Sequence, residues 1–292
     1  MQPTRLHRFC FFCLGLLLAV AGSAVAQPMP PATLDDVVVF AKSEAKLSLG
    51  GRQASGHVLV NDPAGVLFVS PFFRAVPDLQ PQILAPYIEV ISDVAAGPFL
   101  FDVFTNTIED PAGELVIEGT LTQPAGFTFP LFPYPAAPVI TPGTTSVRVT
   151  RRTSPVTLMP GDYDAVRIGP QGVVYLAGGT YNIRLLRVGV RGQLLANAPA
   201  TINVSDKVRL GARTNFGPAD PELNGRCISL NSSARVVTFG RIADVSAIVT
   251  APNARMKLGR LGTFRGNFTA DEIIVGKSSV IETLPPLTEP CP

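Results

Sequence analysis

The chain has no tryptophan, and its 292 residues include only two histidines and four cysteines. Beyond residue 26, His57 is the only histidine, which leaves little material for a histidine-based metal site or a nucleophile–histidine pair. Charged side chains make up 16% of the residues, and 24 basic groups nearly cancel 22 acidic ones, which excludes a globally basic nucleic-acid binder. The phosphate-binding patterns G-x-G-x-x-G and G-x-x-x-x-G-K-[ST] are absent, as is a stacked Thr-x-Thr face of the kind an ice-binding surface needs. After residue 26 no apolar run approaches about 18 residues, so no membrane span is expected in that part. What the chain does have is 46% hydrophobic residues, 26 glycines and 28 prolines, the composition of a large core joined by many turns.

The first 26 residues have the form of a signal peptide. Arg5, His7 and Arg8 are a basic start, Phe9 to Ala21 an apolar centre, and Ala24-Val25-Ala26 an A-x-A cleavage site. The expected location is therefore exported: periplasmic, cell-surface or extracellular. Two cysteines lie in that segment, leaving Cys227 and Cys291 as an even pair in an oxidising compartment. A disulfide between them would close a loop of about 65 residues and contribute roughly 3 to 4 kcal/mol on the chain-entropy model. Two unpaired thiols are the alternative.

The strongest signal is an internal repeat. The pattern apolar-x-apolar-Gly recurs at Val166–Gly169, Leu186–Gly189, Val208–Gly211, Val237–Gly240, Met256–Gly259 and Ile273–Gly276, with glycines 20, 22, 29, 19 and 17 residues apart. Period-two patterning is that of a short strand, and the following glycine suits a sharp bend with positive φ. Units this small cannot bury their own apolar face, so they must stack. Leucine-rich repeats require a regular Asn or Cys ladder and propeller blades about twice the length. The expected fold is all-β, a right-handed parallel β-helix over 151–284 followed by a tail over 285–292. The 29-residue interval reads as an insertion around Asn215 to Asn224.

Residues 27–150 are less regular. Leu47-Ser48-Leu49-Gly50 is a seventh corner, where the helix is expected to begin, and strand-like runs follow between Asn61-Asp62-Pro63 and Glu109-Asp110-Pro111 breaks. They are either irregular coils or an inserted segment. The Pro-rich tract 124–142, with Phe127, Phe129, Phe132 and Tyr134 among its prolines, is too apolar for a free linker and is expected to lie extended along the helix flank.

Leu158-Met159-Pro160-Gly161-Asp162-Tyr163, Leu176-Ala177-Gly178-Gly179-Thr180-Tyr181, Ala251-Pro252-Asn253-Ala254 and Phe264-Arg265-Gly266 follow one another over residues 156–282. This succession resembles an exported bacterial domain family of unknown function, found in cell-surface and pilus-associated proteins. The resemblance implies a right-handed parallel β-helix and an exported location, and it implies no catalytic residue and no cofactor.

Charge supplies the functional clue. Residues 27–150 carry 5 basic and 12 acidic side chains, and residues 151–292 carry 17 and 10. The outward residue of the repeat is Arg167, Arg187, Arg209 or Lys257 in four of six units, and Arg191, Arg213, Arg241, Arg260 and Lys277 stand just past the corners. Stacked coils would align these cations one strand spacing apart, a ladder suited to an acidic polysaccharide or other envelope polymer. The plainer reading is a solvated face, with Asp164, Asp206 and Glu272 neutralising several cations. The expectation is an exported noncatalytic scaffold or adhesin-like module, with self-association by end-to-end stacking as a further expectation. The alternative is a carbohydrate-active β-helix enzyme, a polysaccharide lyase or hydrolase, for which Asp162, Asp164, Asp271 and Glu272 are the acids available.

Overall fold

A computed structural model describes residues 37–48, 50, 52–53, 55–70, 74–75, 82–90, 102–110, 117, 119–123, 128–287 and 289–291, all within one compact unit. Residues 1–26, read from the sequence as a signal peptide, lie outside these residues. The fold is an all-β solenoid of about ten turns, built from a fourteen-stranded and a nine-stranded parallel sheet. No helix among the described residues is long and apolar enough to cross a membrane.

The order of coils in space differs from the order in sequence. The long sheet begins with Thr145–Val149 and continues through Gly161–Ile168, Gly179–Val188, Ala200–Leu210, Ile228–Ser232 with Val236–Phe239, Ile248–Leu258 and Phe268–Val275. The next strand is Val37–Leu47, followed by His57–Val60 with Val66–Val69, then Gln82–Val90, Asp102–Glu109 and Leu121–Thr122. The helix therefore does not begin at Leu47. The described strands between Val37 and Thr122 supply further coils stacked beyond the last repeat, in the same sheets rather than in a separate layer. The junction is sewn by Asn267 Nδ2 donating to Val37 O (2.9 Å), Ser43 Oγ to Asp271 Oδ1 (3.0 Å) and a Ser55–Thr283 hydroxyl pair (2.9 Å).

This arrangement forces the chain to return along the outside. Residues 128–144, which form no regular element, make that return. Phe129, Leu131, Phe132 and Tyr134 pack on Val37, Phe40, Leu59, Leu84 and Phe104, a second core outside the solenoid. Buried Asn61 fixes the strap: its Nδ2 donates to Phe132 O (2.7 Å) and its Oδ1 accepts from Leu131 N (2.8 Å). The flank position expected for the Pro-rich tract is the observed one over 128–142, and 124–127 lie outside the described residues.

The corner glycines work differently from the expectation. None of Gly169, Gly189, Gly211, Gly240, Gly259 and Gly276 has positive φ; the left-handed residue is two positions later, at Gln171, Arg191, Arg213, Ile242, Leu261 and Ser278. The glycines are needed because coil stacks on coil there without room for a side chain. A Cβ on Gly240 would lie 2.4 Å from Gly211 C, and one on Gly259 2.2 Å from Gly240 O. The left-handed residues turn their amides along the axis: Arg191 N donates to Ala212 O, Arg213 N to Arg241 O and Ile242 N to Arg260 O, each at 2.8 Å.

Inside, Val, Ile, Leu and Ala fill the coils, with Phe239, Phe264 and Phe268 meeting edge to face at 6.0 to 6.3 Å. The recurrent tyrosines close coil edges: Tyr181 is fully buried and donates to Leu158 O (2.9 Å), and Tyr163 donates to Met159 O (2.6 Å). Asn215–Pro218 forms a strand, so the insertion of that unit is shorter than expected and includes the turn Gly225–Cys227. Cys227 is bonded to Cys291, with Cα atoms 5.6 Å apart. Arg226 and Asn224 hold the tail as well, through Leu284 O and Pro285 O.

Candidate functional site: a cationic face on the solenoid

Strand register decides which cations share a line. Arg148 pairs with Arg167, Arg167 with Arg187, and Arg187 with Arg209; the column continues through Thr238, Lys257 and Ile274 to Lys46. Four arginines thus stand on consecutive coils about 4.8 Å apart, all exposed. Arg191, Arg213, Arg241, Arg260 and Lys277 form a second exposed row at the corners of five consecutive coils. Arg191 and Arg213 occupy the left-handed position, whereas Arg241, Arg260 and Lys277 immediately precede it. Every cation singled out in the sequence falls on one of these two rows. Arg148 was missed because Thr150 stands where the repeat has glycine, although Val147-Arg148-Val149 carries the same alternation.

The carboxylates expected to neutralise this face are used elsewhere. Several long strands shift register at a bulge, as between Tyr163 and Ala165 or Ile183 and Leu185, which turns a residue out of the ladder. At these bulges Arg184 bridges Asp164 (Nε–Oδ1 2.6 Å) and Asp206 (Nη1–Oδ2 3.1 Å), and Arg255 pairs with Glu272 (3.1 Å). On the short sheet Arg265 joins Asp244 and Glu282. Among the described residues no carboxylate forms an ion pair with Arg148, Arg167, Arg187, Arg209 or Lys257. Their like charges face water without a direct partner, and Asp164, held by Arg184, acts on Arg167 only through space.

The Arg column is a ridge between two depressions. One, of about 470 Å³, has the Arg148–Arg209 column as one wall, Pro170 and Val190 as the other, and Gly169, Gly189 and Gly211 as its floor. The other, of about 190 Å³, lies toward Leu185, Leu186 and Lys207. A third, of about 360 Å³, adjoins Arg191, Arg213 and Arg241. A wider depression of about 660 Å³ beside the disulfide is of opposite character, with Asp220, Glu222 and Glu289 and no basic group.

The acids proposed for catalysis are engaged in the frame. Asp162 ends an asparagine ladder: Asn182 Nδ2 donates to its Oδ1 (2.8 Å), Asn203 to Asn182 (2.9 Å) and Asn231 to Asn203 (3.1 Å). The hydrogen bond from Arg184, and then that from Ser146, hold the Asp164 carboxyl below its ordinary range, which suits a fixed anion and not a proton donor. Asp271 accepts from Ser43, and His57 Nδ1 accepts from Gln82 N (3.0 Å). Among the described residues no three His, Cys, Asp or Glu side chains are grouped to hold a metal ion.

The face belongs to a parallel β-solenoid. No protein-family model matches the chain, and no curated protein matches it. A similar solved structure is a glycosylated ice-binding protein from an Arctic yeast, with 13% identity, coverage of 88% of this chain and 94% of that one, and a TM-score of 0.36. Ice binding is that protein's property.

Proposed function

We propose that this protein is an exported, noncatalytic cell-envelope scaffold or adhesin-like module that binds acidic polysaccharide through its cationic face. The observation that carries this reading is the stacking of Arg148, Arg167, Arg187 and Arg209 in one register, with no direct ion pair to a carboxylate among the described residues. Like charges opposite one another on neighbouring strands are destabilising, and a bound polyanion removes that cost. Arginine suits the purpose, since its planar fork holds carboxylate or phosphate groups through two parallel hydrogen bonds. Export is supported by the A-x-A segment and by the disulfide, which persists in oxidising compartments.

The test is binding of residues 27–292 to neutral and acidic polysaccharides at low and high salt, beside the variant R167Q/R187Q/R209Q/K257Q. Expected is binding to the acidic polymers alone, weakened by salt and lost in the variant. Equal binding by both proteins, or none, removes the recognition role.

A further inference from the structure

The depression over the corner glycines is built unevenly, and its shape narrows the class of polymer. One wall is the column Arg148, Arg167, Arg187 and Arg209; the opposite wall is apolar, formed by Pro170 and by Val190, whose side chain is 49% exposed. The floor is bare backbone: Gly169, Gly189 and Gly211 carry no side chain, and at Gly189 and Gly211 a Cβ would lie 2.8 and 2.9 Å from the backbone of the preceding coil. The trough runs parallel to the solenoid axis, so whatever lies in it meets one guanidinium per coil, about every 4.8 Å.

Each feature selects against a different ligand. A uniformly charged chain such as polyphosphate gains nothing from an apolar wall and leaves oxygens desolvated against it. Duplex nucleic acid presents its charges far more densely, about one per 1.7 Å of axis, and is too thick for a floor one residue wide. A neutral glycan leaves the arginines unpaired. A 1,4-linked pyranose chain with one carboxylate per sugar meets these demands: each ring advances by close to one strand spacing, successive rings are turned over so that alternate carboxylates face the arginines and the others the open side, and C–H faces lie toward Pro170 and Val190.

We infer that the trough holds a single extended polyuronate chain along the solenoid axis, one sugar per coil, with a footprint of four sugars set by Arg148, Arg167, Arg187 and Arg209. This rests on the polyanion reading above and adds the ligand's class, direction and length.

The experiment is calorimetric titration of residues 27–292 with oligouronates of two to eight sugars, with polyphosphates of matched charge alongside. The variants are R187Q, R187K and V190S, and circular dichroism confirms that each is folded. Affinity is expected to rise about tenfold from dimer to tetramer and then level off. R187Q and R187K should both lose about tenfold, since an ammonium cannot form the bidentate pair. V190S should weaken oligouronate binding and leave polyphosphate binding unchanged. Affinity that grows with length without a plateau, full activity of R187K, or polyphosphate bound equally per charge each overturns the trough assignment while the polyanion face stands. If no polyanion binds, both readings fall.

Discussion

A glycine after an apolar pair invites the thought that it supplies a left-handed bend, yet here the bend falls on glutamine, arginine, isoleucine, leucine and serine. The distinction is steric. At Gly259 a Cβ would meet the Gly240 carbonyl oxygen at 2.2 Å, a backbone atom that cannot move without unstacking the coil. Leu261, two residues on, has φ of 59° with its side chain 47% exposed. Gly259→Ala is therefore expected to cost about 2 to 4 kcal/mol through overpacking. Leu261→Gly should change stability by less than about 1 kcal/mol, because relief of the left-handed cost offsets the added chain entropy. Thermal unfolding of the two variants decides it: the reverse order would mean that the glycines serve conformation after all. Three Asn-x-Ser/Thr sequences, at Asn203, Asn231 and Asn267, have the form of glycosylation acceptors, but their amides are engaged in the fold. Asn203 and Asn231 spend their side-chain amides on the ladder, and that of Asn267 donates to Val37 O.

At the scale of elements, the return strap is the least ordinary part. Tyr134 meets Phe40 edge to face at 5.4 Å, and Gly143 lies against Asp162, where a Cβ would come within 2.4 Å of the backbone oxygen. Between those anchors the strap crosses six strand spacings, about 29 Å at 4.8 Å each. Nine residue steps of polyproline II cover about 28 Å at 3.1 Å per residue. The strap is thus near full stretch, and its prolines hold the conformation that such a span needs. Deleting two residues between Pro135 and Pro142 should lower the unfolding temperature sharply, whereas inserting two glycines there should be tolerated, since loop-closure entropy grows slowly. Equal effects of the two changes would show that the strap's length is not what ties the ends together.

For the whole molecule, stacking residues 37–122 beyond Val275 means that covalent order and spatial order are independent. Arg151 and Arg152 lie in an exposed turn at the end of the solenoid where the strap arrives. Cleavage by trypsin at that dibasic turn should give two fragments that remain one particle. The N-terminal piece is gripped at both ends, by Thr145–Val149 against Gly161–Ile168 and by Val37–Leu47 against Phe268–Val275. Size-exclusion chromatography of the nicked protein should show an unchanged elution volume, with two bands only after denaturation. Separation under native conditions would mean that the strap's continuity, not strand stacking, holds the halves.

Much of this protein was legible in its residues because stacking imposes a short-range rule. A coil that buries one face and turns at a tight corner must write apolar-x-apolar-Gly, so the β-solenoid, its corners and most of its cations could be placed without coordinates. The disulfide was legible for a different reason, an even count of cysteines beyond residue 26. What tertiary structure decided was non-local. Register brought Arg148 into the column, bulges at Asp164 and Asp206 took those carboxylates away from it, and pairing between strands some 230 residues apart put the first coils last. The Asn61 side chain, read in sequence as part of a turn, proved to be the strap's anchor. Local patterning records which face a residue presents; the identity of its neighbour one coil away depends on insertions, bulges and the path of the chain, none of which the repeat encodes.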